Sequence, residues 1–268
     1  MPEISSLITV YNGEKYIKDA IESVINQNKV NSELIIINDG STDNTSNILD
    51  RYKNNERILI INSDHIGRGK ALNLAIAKSS GEYIAILDAD DLFHPLKLKI
   101  QYSIMEENPG IGVLGTGSVL IGSNFTLQEI DRENEDSLYL TPKEVTNKLV
   151  YRSPLSHSSV LIRKNVLDRV SGYDDTRERQ YDYDLWIRIA KDGWKLSRIN
   201  SPLTYKRIHD EQNFERSNRI KHLASSIKLQ KKAIRLLNAP KRMYLICYGR
   251  FMYGLLPRKI RMFIRNYV

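Results

Sequence analysis

The chain contains one cysteine, Cys247, so no disulfide can form within it and disulfide-framed secreted folds are excluded. No stretch approaches the ~20 apolar residues of a membrane-spanning helix. The opening MPEISSLITVYN lacks the basic start and long apolar run of a secretory leader. These absences point to a cytoplasmic setting. Two loops that announce nucleotide chemistry are missing as well. A P-loop ending in Gly69-Lys70 needs glycine at 64 and serine or threonine at 71, where Asp64 and Ala71 stand. The glycine-rich turn of a dinucleotide fold is absent after the first apolar run, which leads into Tyr11-Asn12-Gly13-Glu14-Lys15. Acid is missing from one end of the chain. Residues 216–268 hold 14 Lys and Arg and no Asp or Glu, whereas residues 1–215 hold 26 basic and 32 acidic residues. A slightly acidic body with a strongly basic tail suits an anionic partner surface, either nucleic acid or anionic lipid.

What is present reads as alternating strands and helices. With 268 residues, 41% of them apolar, the chain can build one large α/β domain or a domain with an appendage. Short apolar runs at Ser6–Val10, Glu33–Asn38, Ile58–Asn62 and Tyr83–Leu87 alternate with helical spacing over Glu14–Gln27, a segment reaching Arg51, and Lys70–Ser79. Ser41, Thr42 or Asp43 can cap the second helix. This order predicts a doubly wound, mostly parallel sheet of Rossmann-like type. Beyond Pro95 the spacing predicts a helix over Leu96–Glu107, strands at Ile111–Leu120 and Ser158–Ile162, a loop over Asn124–Asp136 and a helix over Tyr183–Ala190. A basic helix over Ser217–Leu237, ended by Pro240, opens a C-terminal helical extension.

In such a sheet, ligands gather beyond the carboxyl ends of the strands. The polar groups there include Tyr11, Asp39 and the run Asp88-Ala89-Asp90-Asp91. Three neighbouring carboxylates repel one another, and a divalent cation such as Mg2+ or Mn2+ resolves the repulsion. The alternative is a solvated acidic turn. Asp39 can accept from a base N–H or a ribose hydroxyl, or serve as a turn aspartate before Gly40. Arg68 and Lys70 are candidates to approach donor phosphates, against plain solvation.

Seven segments, TVYNGEKYI, ELIIINDGSTDNT, GRGKALNLAI, YIAILDADDLFHP, SHSSVLIRK, GYDDTRERQYDYDLWIRIA and YKRIH, resemble the family 2 glycosyltransferases of the GT-A fold, in order and spacing, over roughly residues 4–210. The resemblance implies transfer of a sugar from a nucleotide diphosphate donor, with uracil as the base, to an acceptor hydroxyl. It places Thr9, Tyr11, Glu14 and Asp39 at the nucleotide base. It lays Asp88-Ala89-Asp90 on metal and diphosphate, with Asp90 the direct ligand of Mn2+ or Mg2+, and assigns His209 to the metal or diphosphate. Tyr205 and His209 stand one residue further apart here than in the commonest family form. The family's catalytic base aligns with Asp182, preceded by Tyr181 where a Glu or Gln is usual. One carboxylate on the acceptor side, displacing in a single step, gives inversion at the anomeric carbon. Asp184 competes for the base role and otherwise reads as a helix-start aspartate.

Charge and resemblance together divide the chain into a catalytic domain over 1–215, with a nucleotide half at 1–95 and an acceptor half at 96–215, and the basic extension at 216–268. On a helix, Ile260, Phe263, Ile264 and Tyr267 face away from Arg258, Arg261 and Arg265. That surface suits either the inner face of an anionic membrane, beside a glycan or lipid-linked acceptor, or the catalytic domain itself. A nucleic-acid partner is disfavoured by the acidic body and strand ends. A nucleotidyltransferase is disfavoured by the missing basic glycine-rich loop.

Overall fold

The computed structural model describes residues 1–27, 29–130, 138–209, 219–257 and 260–261. Among these residues one nine-stranded sheet organises the chain. Its first half is β1 (Ile4–Val10), α1 (Ile17–Ile25), β2 (Ser32–Asp39), α2 (Thr45–Asp50), β3 (Ile58–Ser63), α3 (Arg68–Lys78) and β4 (Tyr83–Asp88). These four strands are parallel in the spatial order β3-β2-β1-β4. After the two-residue β5 (Leu92–Phe93) come α4 (Lys97–Glu107), β6 (Ile111–Ile121), β7 (Lys143–Glu144), β8 (Leu161–Arg163), α5 (Lys164–Arg169), α6 (Tyr181–Lys191) and β9 (Lys195–Arg207). β8 runs antiparallel between β4 and β6, and β9 lies parallel to β6. Six strands therefore point the same way and deliver their carboxyl ends to one edge. Two further helices follow, α7 (Arg219–Leu236) and α8 (Met243–Leu255).

Strand side chains alternate between two buried layers. Leu7, Ile35, Ile37, Ile84 and Ile86 pack with α3, α6 and α7. Ile8, Leu34, Ile36, Ala85 and Leu87 pack with α1, α2 and α4. Burial on both faces explains why these strands read as continuous apolar runs. α7 joins the first layer through Leu229, Ala233 and Ile234, all at most 2% exposed.

Three expectations shift. The segment at 158–162 is a strand only from Leu161, because His157–Ser159 coils into a single 3-10 turn. The second helix starts at Thr45, since Ser41 and Asp43 bond to the loop after β1 instead, although Asp43 Oδ1 also accepts the Thr45 N–H at 3.0 Å. Within 124–136, Leu127–Glu129 forms a 3-10 turn with a capping box from Thr126 and Glu129, and 131–137 lie outside the described residues. Of the tail helix at 258–267, only Ile260 and Arg261 are described.

Candidate active site

At the common carboxyl edge, the loops after β1 and β2 hold each other. The N–H groups of Asn12, Gly13 and Glu14 donate to Ser41 Oγ, Thr45 Oγ1 and Asp43 Oδ2 at 3.0, 2.9 and 3.0 Å. In return, Thr42 and Asn44 N–H donate to Asn12 Oδ1 and Glu14 Oε2 at 2.8 and 2.9 Å. Amides that a crevice would leave unpaired are thereby satisfied. Glu14 lines the crevice, but one carboxylate oxygen is committed to the amide before α2.

Asp39, 4% exposed, accepts from Ser63 Oγ and Ile66 N–H through Oδ1 and from Gly67 N–H through Oδ2, at 2.9, 2.7 and 3.0 Å. Three of its roughly four acceptor directions thus fasten the loop leading into α3, leaving one for a ligand. The chain turns at Gly40 with φ +75°, where a Cβ would lie 2.8 Å from the His65 backbone nitrogen. Only glycine meets both demands. The His65 ring rests against Tyr11 at 4.2 Å between centroids, and Tyr11 stays half exposed. Thr9 faces Asp88 across the β1–β4 pairing.

Asp88, Asp90 and Asp91 bring carboxylate oxygens within 4.8 Å of one another. For Asp91, which is 1% exposed, burial and then the charges of Asp88 and Asp90 push the pKa up to about 7. Asp88 goes the other way. Burial raises it, but the Arg68 guanidinium bonded to Oδ1 and the nearby His157 ring prevail, holding it well below the usual carboxylate range. Asp90 Oδ2 lies 3.1 Å from His209 Nε2, and the His209 ring packs on Tyr16 at 5.0 Å. Two buried atoms here, Asp91 Oδ2 and His209 Nδ1, find no hydrogen-bond partner among the described residues. Three clustered carboxylates, one with an orphaned oxygen, beside an imidazole fit a hard divalent cation.

Thr9, Tyr11, Glu14, Asp39, Arg68, Asp88, Ala89, Asp90 and His209 line one crevice of about 550 Å3. Lys70 does not join it. It sits exposed on α3 about 200° round the helix from Arg68, so the two side chains leave opposite sides. Arg68 and Asp88 also line a second cavity, of about 1100 Å3, together with Asp182.

Asp182 sits half-buried in the first turn of α6. That turn is fixed from α7. Gln180, at the helix start with φ +51°, donates through Nε2 to Ser226 Oγ at 2.6 Å. Tyr181 joins an aromatic cluster with His157 and Tyr173, at 5.6 and 5.9 Å, and the Arg68 guanidinium lies 5.5 Å from its ring centre. Asp184 turns away from the chamber. Fully buried, it bonds Lys232 Nζ at 2.6 Å and Arg188 Nε at 2.8 Å. Burial raises its pKa, but those two cations bring it below the ordinary value.

Sequence reasoning did not single out His157, whose Nε2 meets the Tyr173 hydroxyl at 2.8 Å and whose Nδ1 lies 3.6 Å from Asp88 Oδ1. Its only signal was a histidine among small polar residues before an apolar run. Asp91 was visible as the third acid of its run, but its burial was not.

Residues 5–171 match the family described as Glycosyl transferase family 2. An uncharacterized glycosyltransferase of Methanocaldococcus jannaschii is 33% identical over 218 residues, covering 80% of this chain and 73% of that protein. An uncharacterized glycosyltransferase of Rickettsia bellii is 41% identical over 216 residues, which is 78% of this chain but only 29% of the longer relative. Among solved structures, S. aureus TarS 1-349 in complex with UDP-GlcNAc superposes with a TM-score of 0.64 at 17% identity, covering 95% of this chain and 82% of that one. The mannosyltransferase PcManGT from Pyrobaculum calidifontis, in complex with GDP-Man and Mn2+, gives 0.66 at 17%, covering 95% and 74%. At that identity the likeness establishes the architecture, the GT-A fold with C-terminal helices. Since the family match spans more than half of its length, the chain belongs to glycosyl transferase family 2.

Proposed function

We propose that this glycosyltransferase is metal-dependent and inverting, moving a sugar from a nucleotide diphosphate donor, UDP-linked, to an acceptor hydroxyl with Asp182 as base. The observation that carries the reading is the meeting of two cavities at Asp88 and Arg68, with the carboxylate cluster on one side and Asp182 on the other. A sugar hydroxyl is a weak nucleophile, and Asp182 takes its proton as it attacks the anomeric carbon. Attack from the side opposite the leaving diphosphate inverts that carbon in one step, and no second carboxylate is demanded. Thr9, Tyr11 and Asp39 receive base and ribose, with Tyr11 offering an exposed ring face. Glu14 shapes the loop around them. Arg68 places positive charge where the two cavities join. Asp88, Asp90, Asp91 and His209 are the groups to hold a divalent cation, which supplies charge stabilisation to the departing diphosphate. Relatives of the fold support both parts, since one was solved with UDP-GlcNAc and another with GDP-Man and Mn2+.

In this reading residues 1–95 form the nucleotide half, 96–215 the acceptor half and 216–268 a basic extension. The acceptor is a glycan or lipid-linked sugar of polysaccharide or glycoconjugate synthesis, met at an anionic membrane surface. Support for a surface role comes from α8, which exposes Leu245, Ile246, Met252 and Leu255 near Arg242 and Arg250. No helix among the described residues is long and apolar enough to cross a membrane.

Incubation with a panel of nucleotide sugars tests the reaction. The expected products are a free nucleoside diphosphate and a sugar of inverted anomeric configuration by NMR. Released pyrophosphate would indicate nucleotidyl transfer instead. UDP affinity with Mn2+ is expected to fall sharply with EDTA and in Asp90→Ala. Equal affinity in all three conditions would remove the metal from the mechanism.

A further inference from the structure

Each carboxylate after β4 has a partner among the described residues. Asp88 Oδ1 accepts from the Arg68 guanidinium, Asp90 Oδ2 lies 3.1 Å from His209 Nε2, and Asp91 Oδ1 accepts the Arg207 N–H at 3.0 Å. The three partners differ in kind. The Arg207 amide is fixed by the pairing of β9 with β6, and His209 stands two residues past that strand. Arg68 comes from a separate part of the fold, the first position of α3, and brings a permanent positive charge.

Arg68 also has room to move. Its side chain is 41% exposed, against 1% for that of Arg207. It follows Gly67, where an added Cβ would meet nothing within 4 Å. Rotation about the side-chain bonds of Arg68 can therefore redirect the guanidinium while α3 stays in place. The residue lines the strand-end crevice as well as the chamber, so either cavity can receive it.

Two kinds of positive charge compete for the same carboxylates. Oxygens of Asp88, Asp90 and Asp91 lie within 4.8 Å of one another, and Asp91 Oδ2 is buried with no hydrogen-bond partner among the described residues. That set fits a divalent cation, yet a guanidinium already bonded to Asp88 repels any cation placed beside it. A diphosphate shifts the balance. Its oxygens match the planar guanidinium fork and carry the opposite charge. Once Arg68 turns to a diphosphate, Asp88 Oδ1 is freed.

We propose that Arg68 is a resident counter-ion of the carboxylate cluster, holding Asp88 until a nucleoside diphosphate draws it away, so that part of the mutual dependence of cation and nucleotide passes through this residue. The proposal rests on the metal and donor reading above. Contact between cation and diphosphate couples the two ligands by itself, but it gives Arg68 no influence on cation affinity when nucleotide is absent. The counter-ion role demands shifts of opposite sign. Loss of Arg68 frees Asp88 for the cation and takes a partner from the diphosphate.

The test uses the full-length protein. Free Mn2+ is counted by electron paramagnetic resonance in titrations without nucleotide, and UDP affinity is measured by calorimetry with and without saturating Mn2+. Arg68→Gln is expected to bind Mn2+ alone at least about fivefold more tightly than wild type, and UDP with Mn2+ at least about fivefold more weakly. Arg68→Lys keeps the charge but not the fork. It is expected to fall between the two, and it carries the test where the glutamine variant does not fold. Lys206→Gln removes another positive charge whose field reaches Asp88, and it is expected to change Mn2+ affinity less. Mn2+ affinity that is unchanged or weaker in folded Arg68→Gln overturns the proposal, as does an equal gain in Lys206→Gln. A wild type whose UDP affinity ignores Mn2+ overturns the metal reading and this proposal together. A wild type that responds to Mn2+, beside an Arg68→Gln that binds Mn2+ no more tightly, overturns this proposal alone.

Discussion

The donor crevice and the chamber beside it share Arg68 and Asp88 but are built in opposite ways. The crevice is acidic and formed at strand ends, where five backbone amides of two loops are tied by side chains of the opposite loop. Its shape is set before any ligand arrives. The chamber is formed by side chains on α6, α7, α8 and β9, tied among the described residues by side chains rather than by interlocked backbone amides: Gln180 to Ser226, Lys232 to Asp184, Arg219 to the Gly254 and Leu256 carbonyls, and Gln230 Nε2 to the Tyr151 carbonyl at 2.8 Å. A fixed backbone suits the part of a reaction that does not vary, such as a nucleotide. A wall of side chains can change its partner by substitution while the sheet beneath stays the same.

That contrast can be broken at single positions. The largest effect is expected at Asp182, where Asp182→Asn keeps the shape but cannot accept a proton. Turnover should fall by about 10²–10⁴-fold with donor affinity unchanged, measured by steady-state kinetics beside UDP titration. A variant that turns over normally would put the base elsewhere and undo the division of labour between the cavities.

Next comes Asp184→Asn, which strips a buried carboxylate from Lys232 and Arg188. Breaking such a buried network costs about 3–5 kcal/mol, readable by denaturant unfolding. The folded state holds the Asp184 carboxyl below its ordinary value, so its stabilisation is present above about pH 4 and is lost as the pH falls through the folded pKa. The stability gap between wild type and Asp184→Asn is therefore expected to narrow below about pH 4. A gap that stays constant down to pH 2 would assign the loss to packing.

A smaller effect is expected on the crevice side. Gly40→Ala forces a Cβ into a left-handed turn against His65 and should cost more than about 1 kcal/mol. It should also weaken UDP binding, because Asp39 can no longer hold the 63–67 loop. Unchanged UDP affinity would show that the crevice tolerates movement there. The smallest change in stability, within about ±0.5 kcal/mol, is expected for Leu245→Ser with Met252→Ser on α8. The same variant should pellet less with anionic vesicles, and equal pelleting would separate α8 from any membrane role.

The crevice was the more legible half. Strands buried on both faces announce themselves as apolar runs, and the polar residues that follow them must share an edge once the strands are parallel. The family resemblance supplied roles for those positions. It could not show that Glu14 and Asp39 already bond their neighbouring loops, because such bonds depend on where two distant turns meet. β9 escaped notice for a different reason. Lys195–Arg207 carries Pro202 and several charged and polar residues, and it is a strand because β6, β5 and β7 pair with it. The chamber was least legible of all, since its lining comes from separate segments around 152–157, 206 and 222–254, and Arg152, His157, Lys206 and Arg250 are solvated residues by any local rule. Lys70 failed by helical rotation, which a segment of mixed composition does not reveal.

The tie between Lys232 and Asp184 also gives the enzyme an order of assembly. Every described residue lining the strand-end crevice lies at or before position 209, whereas one wall of the chamber comes from residues 222–254. Chains emerge and fold from the N-terminus. The described lining of the crevice is thus synthesised before α7 and α8 leave the ribosome, and Asp182 gains its surroundings last. In the proposed reading the donor side is therefore synthesised before the acceptor side, so possession of the donor and competence to transfer it would be acquired at two separate moments in the making of one polypeptide.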